Sequence, residues 1–166
     1  IVVSPLSAKE AKPVKLYLLG GQSNMFGVAG KASDLKPPYN APFSKVKIWN
    51  LNTNRWKPLS TKGAKFGPEL SFGHSMAKAF PDSEIRLVKY AASGTALYND
   101  WAPTTGAQYI AFMEVVRASL DDLRSNKVDF EIAGMLWLQG ESDAHEKMGR
   151  EYEKNLTAFI AQMRSE

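Results

Sequence analysis

One hydroxyl group stands out by its setting. The run Val14-Lys15-Leu16-Tyr17-Leu18-Leu19 leads directly into Gly20-Gly21-Gln22-Ser23-Asn24-Met25. The run reads as a buried strand, the glycines as a tight turn, and Ser23 as a polar group where a helix begins. Ligand chemistry in open α/β sheets collects at the carboxyl ends of strands, so Ser23 is a candidate nucleophile. A helix start offers unpaired backbone N–H groups and the positive end of the dipole. Such groups stabilise an oxyanion forming on a carbonyl. Gly94 permits close backbone approach, which makes its N–H a candidate second donor. The side-chain amide of Gln139 is a candidate third. One donor of this kind contributes about 2.7–4 kcal/mol in the transition state. Taken alone, Ser23 fits a helix N-cap better than a nucleophile.

Few other groups compete for a chemical role. His74 falls in a predicted helix and reads as packing or a local hydrogen bond. His145 reads as a solvent-facing residue in the first turn of a helix. Glu141 and Asp143 are two apart but lack a third ligand motif, so no metal is expected. No cofactor is implied. There are no cysteines, which excludes disulfides, thiol nucleophiles and thiolate metal sites.

The elements that must position these groups follow from apolar periodicity. Residues 14–20, 45–51, 84–90 and 130–138 read as strands, with 55–59 pairing back on the second as a hairpin arm. Residues 28–44 read as a loop. Gly67-Pro68-Glu69 opens a helix carried on by Phe72, Met76 and Phe80. Tyr109, Phe112, Met113, Val116, Leu120 and Leu123 form a helical stripe, as do Met148, Tyr152, Leu156, Phe159, Ile160 and Met163. Alternating strands and helices imply a parallel sheet with right-handed crossovers. The loops at Gly21–Gly27, Ala91–Trp101 and Gln139–Asp143 then share one edge. Ser23, Gly94 and Gln139 are expected to be neighbours there.

The 166 residues suffice for one domain with a full core. No apolar run is long enough to cross a bilayer as a helix, and no membrane partner is expected. Charge is uneven: residues 1–65 carry eleven basic against two acidic side chains, and residues 66–166 carry ten against fifteen. The basic residues are dispersed rather than clustered, which argues against nucleic acid. Ile1 to Ala8 followed by Lys9-Glu10-Ala11-Lys12 resembles the tail of a signal peptide. Residues 1–12 are therefore expected to be a leader remnant or a disordered N-terminus, and the protein is expected to be secreted or periplasmic.

Four blocks carry a more specific signal. They are Gly21-Gln22-Ser23-Asn24-Met25-x-Gly27, Phe66-Gly67-Pro68-Glu69-Leu70-x-Phe72-Gly73, Lys89-Tyr90-Ala91-x-Ser93-Gly94-Thr95-x-Leu97 with Asp100-Trp101, and Trp137-x-Gln139-Gly140-Glu141-Ser142-Asp143-Ala144. Together they resemble the sialate O-acetylesterase and acetylxylan esterase branch of the SGNH hydrolases, which includes carbohydrate esterase family 6. The resemblance implies a flavodoxin-like three-layer α/β/α sandwich over residues 13–166. It implies that Ser23 is the nucleophile of a carbohydrate O-acetylesterase acting through an acyl-enzyme. It also implies an oxyanion hole built from the Ser23 and Gly94 amides and the Gln139 side chain, with Gln22, Asn24, Glu69 and Glu141 in support. The implied partner is an acetylated carbohydrate. Trp101, Phe66 and Tyr98 read as core packing first and as sugar-stacking surface second.

One departure qualifies the resemblance. The family carries an Asp-x-x-His segment after a fifth strand, which supplies the base, and nothing after Gln139 resembles it. A serine without a base is a poor nucleophile. The expectation is a domain whose C-terminal strand and base segment lie outside the 166 residues, with self-association through the exposed edge. The alternative is a weak or inactive esterase-like module that binds carbohydrate.

Overall fold

The computed structural model describes residues 12–166. The expected leader remnant lies outside the described residues. The chain runs β1 (Val14–Gly21), α1 (Ser23–Phe26), β2 (Phe43–Asn50), β3 (Arg55–Leu59), α2 (Glu69–Ala79), β4 (Ile85–Ala91), α3 (Ala107–Ser125), β5 (Phe130–Leu138) and α4 (Glu146–Ser165). Single 3₁₀ turns interrupt the loops at Ala32–Asp34 and Glu141–Asp143. The five strands form one sheet in the order β3-β2-β4-β1-β5. β1 pairs in parallel with β4 and β5, and β2 pairs in parallel with β4. Only β3 is antiparallel, as the hairpin arm of β2. The architecture is the α/β fold expected, with a mostly parallel sheet.

β1 is central, and its alternating side chains feed two cores. Leu16 and Leu18 pack with Tyr109, Phe112, Val116 and Leu123 of α3 and Phe159 of α4. Tyr17 and Leu19 pack on the opposite face with Val46, Leu59, Leu87 and Leu70 of α2. A strand covered on both sides needs an unbroken apolar run, which β1 has. The α3 stripe is buried as its spacing predicts. In α4 only Phe159 is fully buried, and Ile160 is exposed. That stripe is broader than the surface it covers.

Two local features differ from expectation. Pro68 precedes the helix that it was expected to start, so Glu69 is its first residue. β5 pairs only with β1 among the described strands, and Ile132 and Leu138 on it are 52% and 41% exposed.

Candidate active site

The carboxyl ends of β1, β4 and β5 deliver three loops to one place. Gln22 follows β1 directly, and its backbone N–H donates to Leu138 O at the end of β5 at 3.0 Å. Ala92 N, just past β4, donates to Gly21 O at 3.1 Å. The backbone of each strand end is thus tied to its neighbour before any side chain contributes.

Buried side chains then lock the loops together. Gln139 Nε2 donates to Gln22 Oε1 at 3.1 Å, to Thr95 O at 3.0 Å and to Asp143 Oδ2 at 2.6 Å. Gln22 Oε1 also accepts the N–H groups of Gly140 and Ser142, both at 3.3 Å. Asp143 is 1% exposed. It accepts the Leu97 N–H at 2.7 Å and the Tyr98 N–H at 2.9 Å. Tyr152 of α4 donates its hydroxyl to Gln139 O at 2.7 Å, and burial pushes its pKa up. Thr95 Oγ1 donates to Ala92 O at 2.7 Å and accepts Trp101 Nε1–H at 2.8 Å. A buried polar group without a partner costs about 1–3 kcal/mol. Pairing each of these groups is what permits so polar an interior.

Against that background the reactive candidates are unpaired. Ser23 is half-buried and is the first residue of α1. Gln22 holds the N-cap position, and no side-chain cap bond is made. The reading of Ser23 as an N-cap is thereby corrected: its hydroxyl lies one residue too far along. Among the described residues, neither the Ser23 hydroxyl nor the N–H groups of Ser23 and Gly94 have a hydrogen-bond partner. Gly94 is exposed with φ of 73°, and the space where a Cβ would sit is open. Gln22 adjoins Ser23, Thr95 adjoins Gly94, and both are held by the Gln139 amide, so Gln139 shares a hydrogen-bond cluster with the immediate neighbours of Ser23 and Gly94.

The flanking residues are also placed. Asn24 Nδ2 donates to Glu141 Oε1, bridging the first and third loops at the surface. Glu69 is buried, accepts Gly67 N–H at 3.0 Å and pairs with Lys89 Nζ. Lys89 also donates to Phe26 O at 3.3 Å. Burial lowers the Lys89 pKa, and the charge of Glu69 works against that effect. Gly27 closes α1 with φ of 94°, and a Cβ there would overlap Phe66 O. The Gly27 of the first block and the Phe66-Gly67 of the second are thus in backbone contact.

His74 stacks on Phe43 at 3.9 Å between ring centroids, with Tyr39 edge-on at 4.8 Å, and burial lowers its pKa. It is a packing residue, as its spacing suggests. His145 is exposed and occupies the N-cap of α4. Neither histidine bonds to Ser23. Trp101 is fully buried, which rules it out as a sugar-stacking surface, while Phe66 and Tyr98 are half-buried. Sequence reasoning weighed Asp143 only as a cation ligand and did not pair Lys89 with Glu69. Lys89 had a readable signal, a charge inside a strand flanked by apolar residues. Asp143 had none, because its partners are backbone groups 45 and 46 residues away.

Comparison with known proteins gives this geometry a context. The chain is 28% identical over 92% of its length to a probable carbohydrate esterase of Arabidopsis thaliana, and it spans 64% of that protein. An X-ray structure of an Arabidopsis thaliana protein superposes on 93% of this chain and 69% of that one, with a TM-score of 0.75 at 24% identity. A carbohydrate acetylesterase of Xanthomonas citri matches 91% of this chain and 38% of its own, with a TM-score of 0.60 at 19% identity. The structure of NanS matches 90% and 65%, with a TM-score of 0.58 at 17% identity. These structural likenesses concern the fold. A family model described as carbohydrate esterase, sialic acid-specific acetylesterase, matches residues 13–166, and the chain belongs to that family.

Proposed function

We propose that this chain carries the nucleophile and oxyanion groups of a serine esterase that removes O-acetyl groups from carbohydrate. The observation that supports this most is the contrast within one hydrogen-bond cluster. The buried side chains of Gln22, Thr95, Gln139 and Asp143 are paired there, while the Ser23 hydroxyl and the Ser23 and Gly94 N–H groups are free. Ser23 Oγ gives its proton to a general base as it bonds to the acetyl carbon, the carbonyl π electrons move to oxygen, and the base later returns that proton to the leaving sugar oxygen. The N–H groups of Ser23 and Gly94, with the Gln139 side chain, receive that oxygen. Collapse breaks the bond to the sugar oxygen, which leaves with a proton, and water then releases acetate from Ser23.

Gln139 has two amide hydrogens and three acceptors within 3.1 Å. It serves the oxyanion by releasing one of them. The base follows from the resemblance: a histidine of an Asp-x-x-His segment, which is absent from residues 1–166. His74 is committed to Phe43 and Tyr39, and exposed His145, at the N-cap position of α4, makes no bond to Ser23.

The test is hydrolysis of 4-nitrophenyl acetate and of acetylated sugars by the intact protein. Ser23→Ala is expected to lower kcat by at least about 10³-fold, with an unchanged thermal melt. A variant that keeps the parent rate would overturn the assignment of Ser23. Sugar binding without turnover in the parent would favour a carbohydrate-binding module instead.

A further inference from the structure

The helix that carries Ser23 is a single turn, Ser23–Phe26. A helix this short does not hold its own direction, because nucleation outweighs the few hydrogen bonds it makes. Its orientation must be set from outside. The Gln22–Gln139 cluster fixes its N-terminal end. A different set of groups, which the ester chemistry does not use, fixes its C-terminal end.

Phe26 O lies at the end of α1, where a helix leaves carbonyls without partners of its own. Lys89 Nζ reaches it from β4 at 3.3 Å, as lysine side chains do at helix ends. Lys89 is the register partner of Leu19 in β1, so its backbone belongs to the centre of the sheet. Its ammonium pairs with Glu69, the first residue of α2, and only 13% and 4% of the two side chains is exposed. The other oxygen of Glu69 accepts the Gly67 N–H at 3.0 Å. Gly67 completes the arrangement. A Cβ there would lie 2.6 Å from Met25 O, 2.7 Å from Glu69 Oε2 and 2.8 Å from Lys89 Nζ. A carbonyl of α1 and the ion pair thus converge on one Cα, an approach that glycine permits. The Phe26 side chain is held as well, by the Lys62 ammonium 4.4 Å from its ring centroid.

An ion pair this buried is a poor source of stability. Desolvation offsets the attraction, and apolar residues of similar volume often serve a fold equally well. Stability alone therefore does not explain an ammonium inside β4. Its bond to Phe26 O does, because an apolar side chain has no donor to offer there. We propose that Lys89, set by Glu69, is a positioning residue for Ser23: it anchors the far end of α1 so that the hydroxyl and amide at the near end keep their direction. The proposal rests on the esterase reading, and Lys89 itself touches no substrate.

The experiment is steady-state hydrolysis of 4-nitrophenyl acetate by the intact protein, with urea denaturation of each variant alongside. Glu69→Gln keeps the Lys89 donor but removes its counter-charge, so it should lose stability while kcat stays within about tenfold of the parent. Glu69→Gln/Lys89→Met removes charge and donor together. It should regain stability, yet its kcat should fall by about 10²-fold with KM nearly unchanged, as for a misplaced reacting group. The two orders therefore cross: the less stable variant is the faster one. Lys78→Met, on the exposed side of α2, should match the parent in both. A role confined to folding predicts instead that kcat follows stability. Values of kcat ranked as the stabilities are, a double variant with the kcat of the parent, or a loss confined to KM would overturn the proposal. Ser23→Ala separates it from the esterase reading. No hydrolysis by the parent, or a parent rate in Ser23→Ala, would remove that reading and the proposal with it. A Ser23-dependent parent whose kcat survives in the double variant would remove the proposal alone.

Discussion

Asp143→Asn tests whether a single buried carboxylate fixes the 95–98 loop. Asp143 Oδ2 accepts from Leu97 N and Gln139 Nε2, and Oδ1 accepts from Tyr98 N. Asparagine has one oxygen, and its best orientation places that oxygen where Oδ2 was. Leu97 and Gln139 then keep an acceptor, but a neutral one. The asparagine NH₂ faces the Tyr98 N–H, donor against donor. Losing a hydrogen bond to a charged acceptor costs about 1.5–3 kcal/mol, and weakening two others costs about 0.5–1 kcal/mol each. Sparing the desolvation of a carboxylate offsets part of this. The net expectation is a loss of about 3 kcal/mol, a large share of the ~5–15 kcal/mol that holds a domain folded.

Urea denaturation reads this directly, and thermal melting should show Tm lower by about 6–12 °C for a domain of this size. Asp100→Asn is the internal standard. Asp100 accepts one N–H, from Ala96 at 2.8 Å, and a neutral oxygen can still do so. Its loss should stay below about 1 kcal/mol. Equal effects of the two substitutions, or an Asp143→Asn protein within about 1 kcal/mol of the parent, would refute the claim that this carboxylate holds the loop.

Two further outcomes follow from buried charge. Glu69→Gln leaves the Lys89 ammonium nearly buried without its counter-charge and should cost about 3–5 kcal/mol; adding Lys89→Met should restore much of that in the same urea titration, and a double variant no better than the single one would contradict the pairing. His74 has its pKa lowered below 6.5 by burial, so on acidification the unfolded chain takes up this proton first; stability should fall as pH drops through 6.5 towards the folded value, and His74→Phe should flatten that part of the stability–pH curve, whereas an unchanged slope would exclude His74 as its source.

Much of the fold was legible because its signals are local. The β1 run and its glycine turn, the hairpin arm at 55–59 and the six-residue stripe of α3 each sit within one element, and each formed as its periodicity predicts. The convergence of loops was also legible, since parallel strands must present their carboxyl ends on one edge. What could not be read is the polar wiring between those loops. Asp143 looks like one acidic residue beside another until Leu97 and Tyr98 are folded against it. The position of Ser23 within α1 turned on a single residue, since either Gln22 or Ser23 suits the cap by sequence.

The distribution of unpaired groups carries a stronger argument than any one residue type. Desolvation penalises every unpaired polar atom, so a folded interior eliminates them unless solvent or a ligand completes them. In the cluster around Gln139, Gln22, Thr95 and Asp143 are satisfied by one another. The unpaired hydroxyl and amides are instead at half-buried Ser23 and exposed Gly94, on the solvent-facing rim of the cluster. A loop serving only to connect strands has no need of a paired scaffold beneath and free donors above. The scaffold fixes the direction of those donors before anything binds, and fixed donors stabilise developing charge without first reorganising. On the proposed function, rigid pairing below and open valence above are two parts of one device, and substitutions of Gln22, Thr95 or Asp143 should reach the chemistry only through the geometry of the rim and the setting of Gln139.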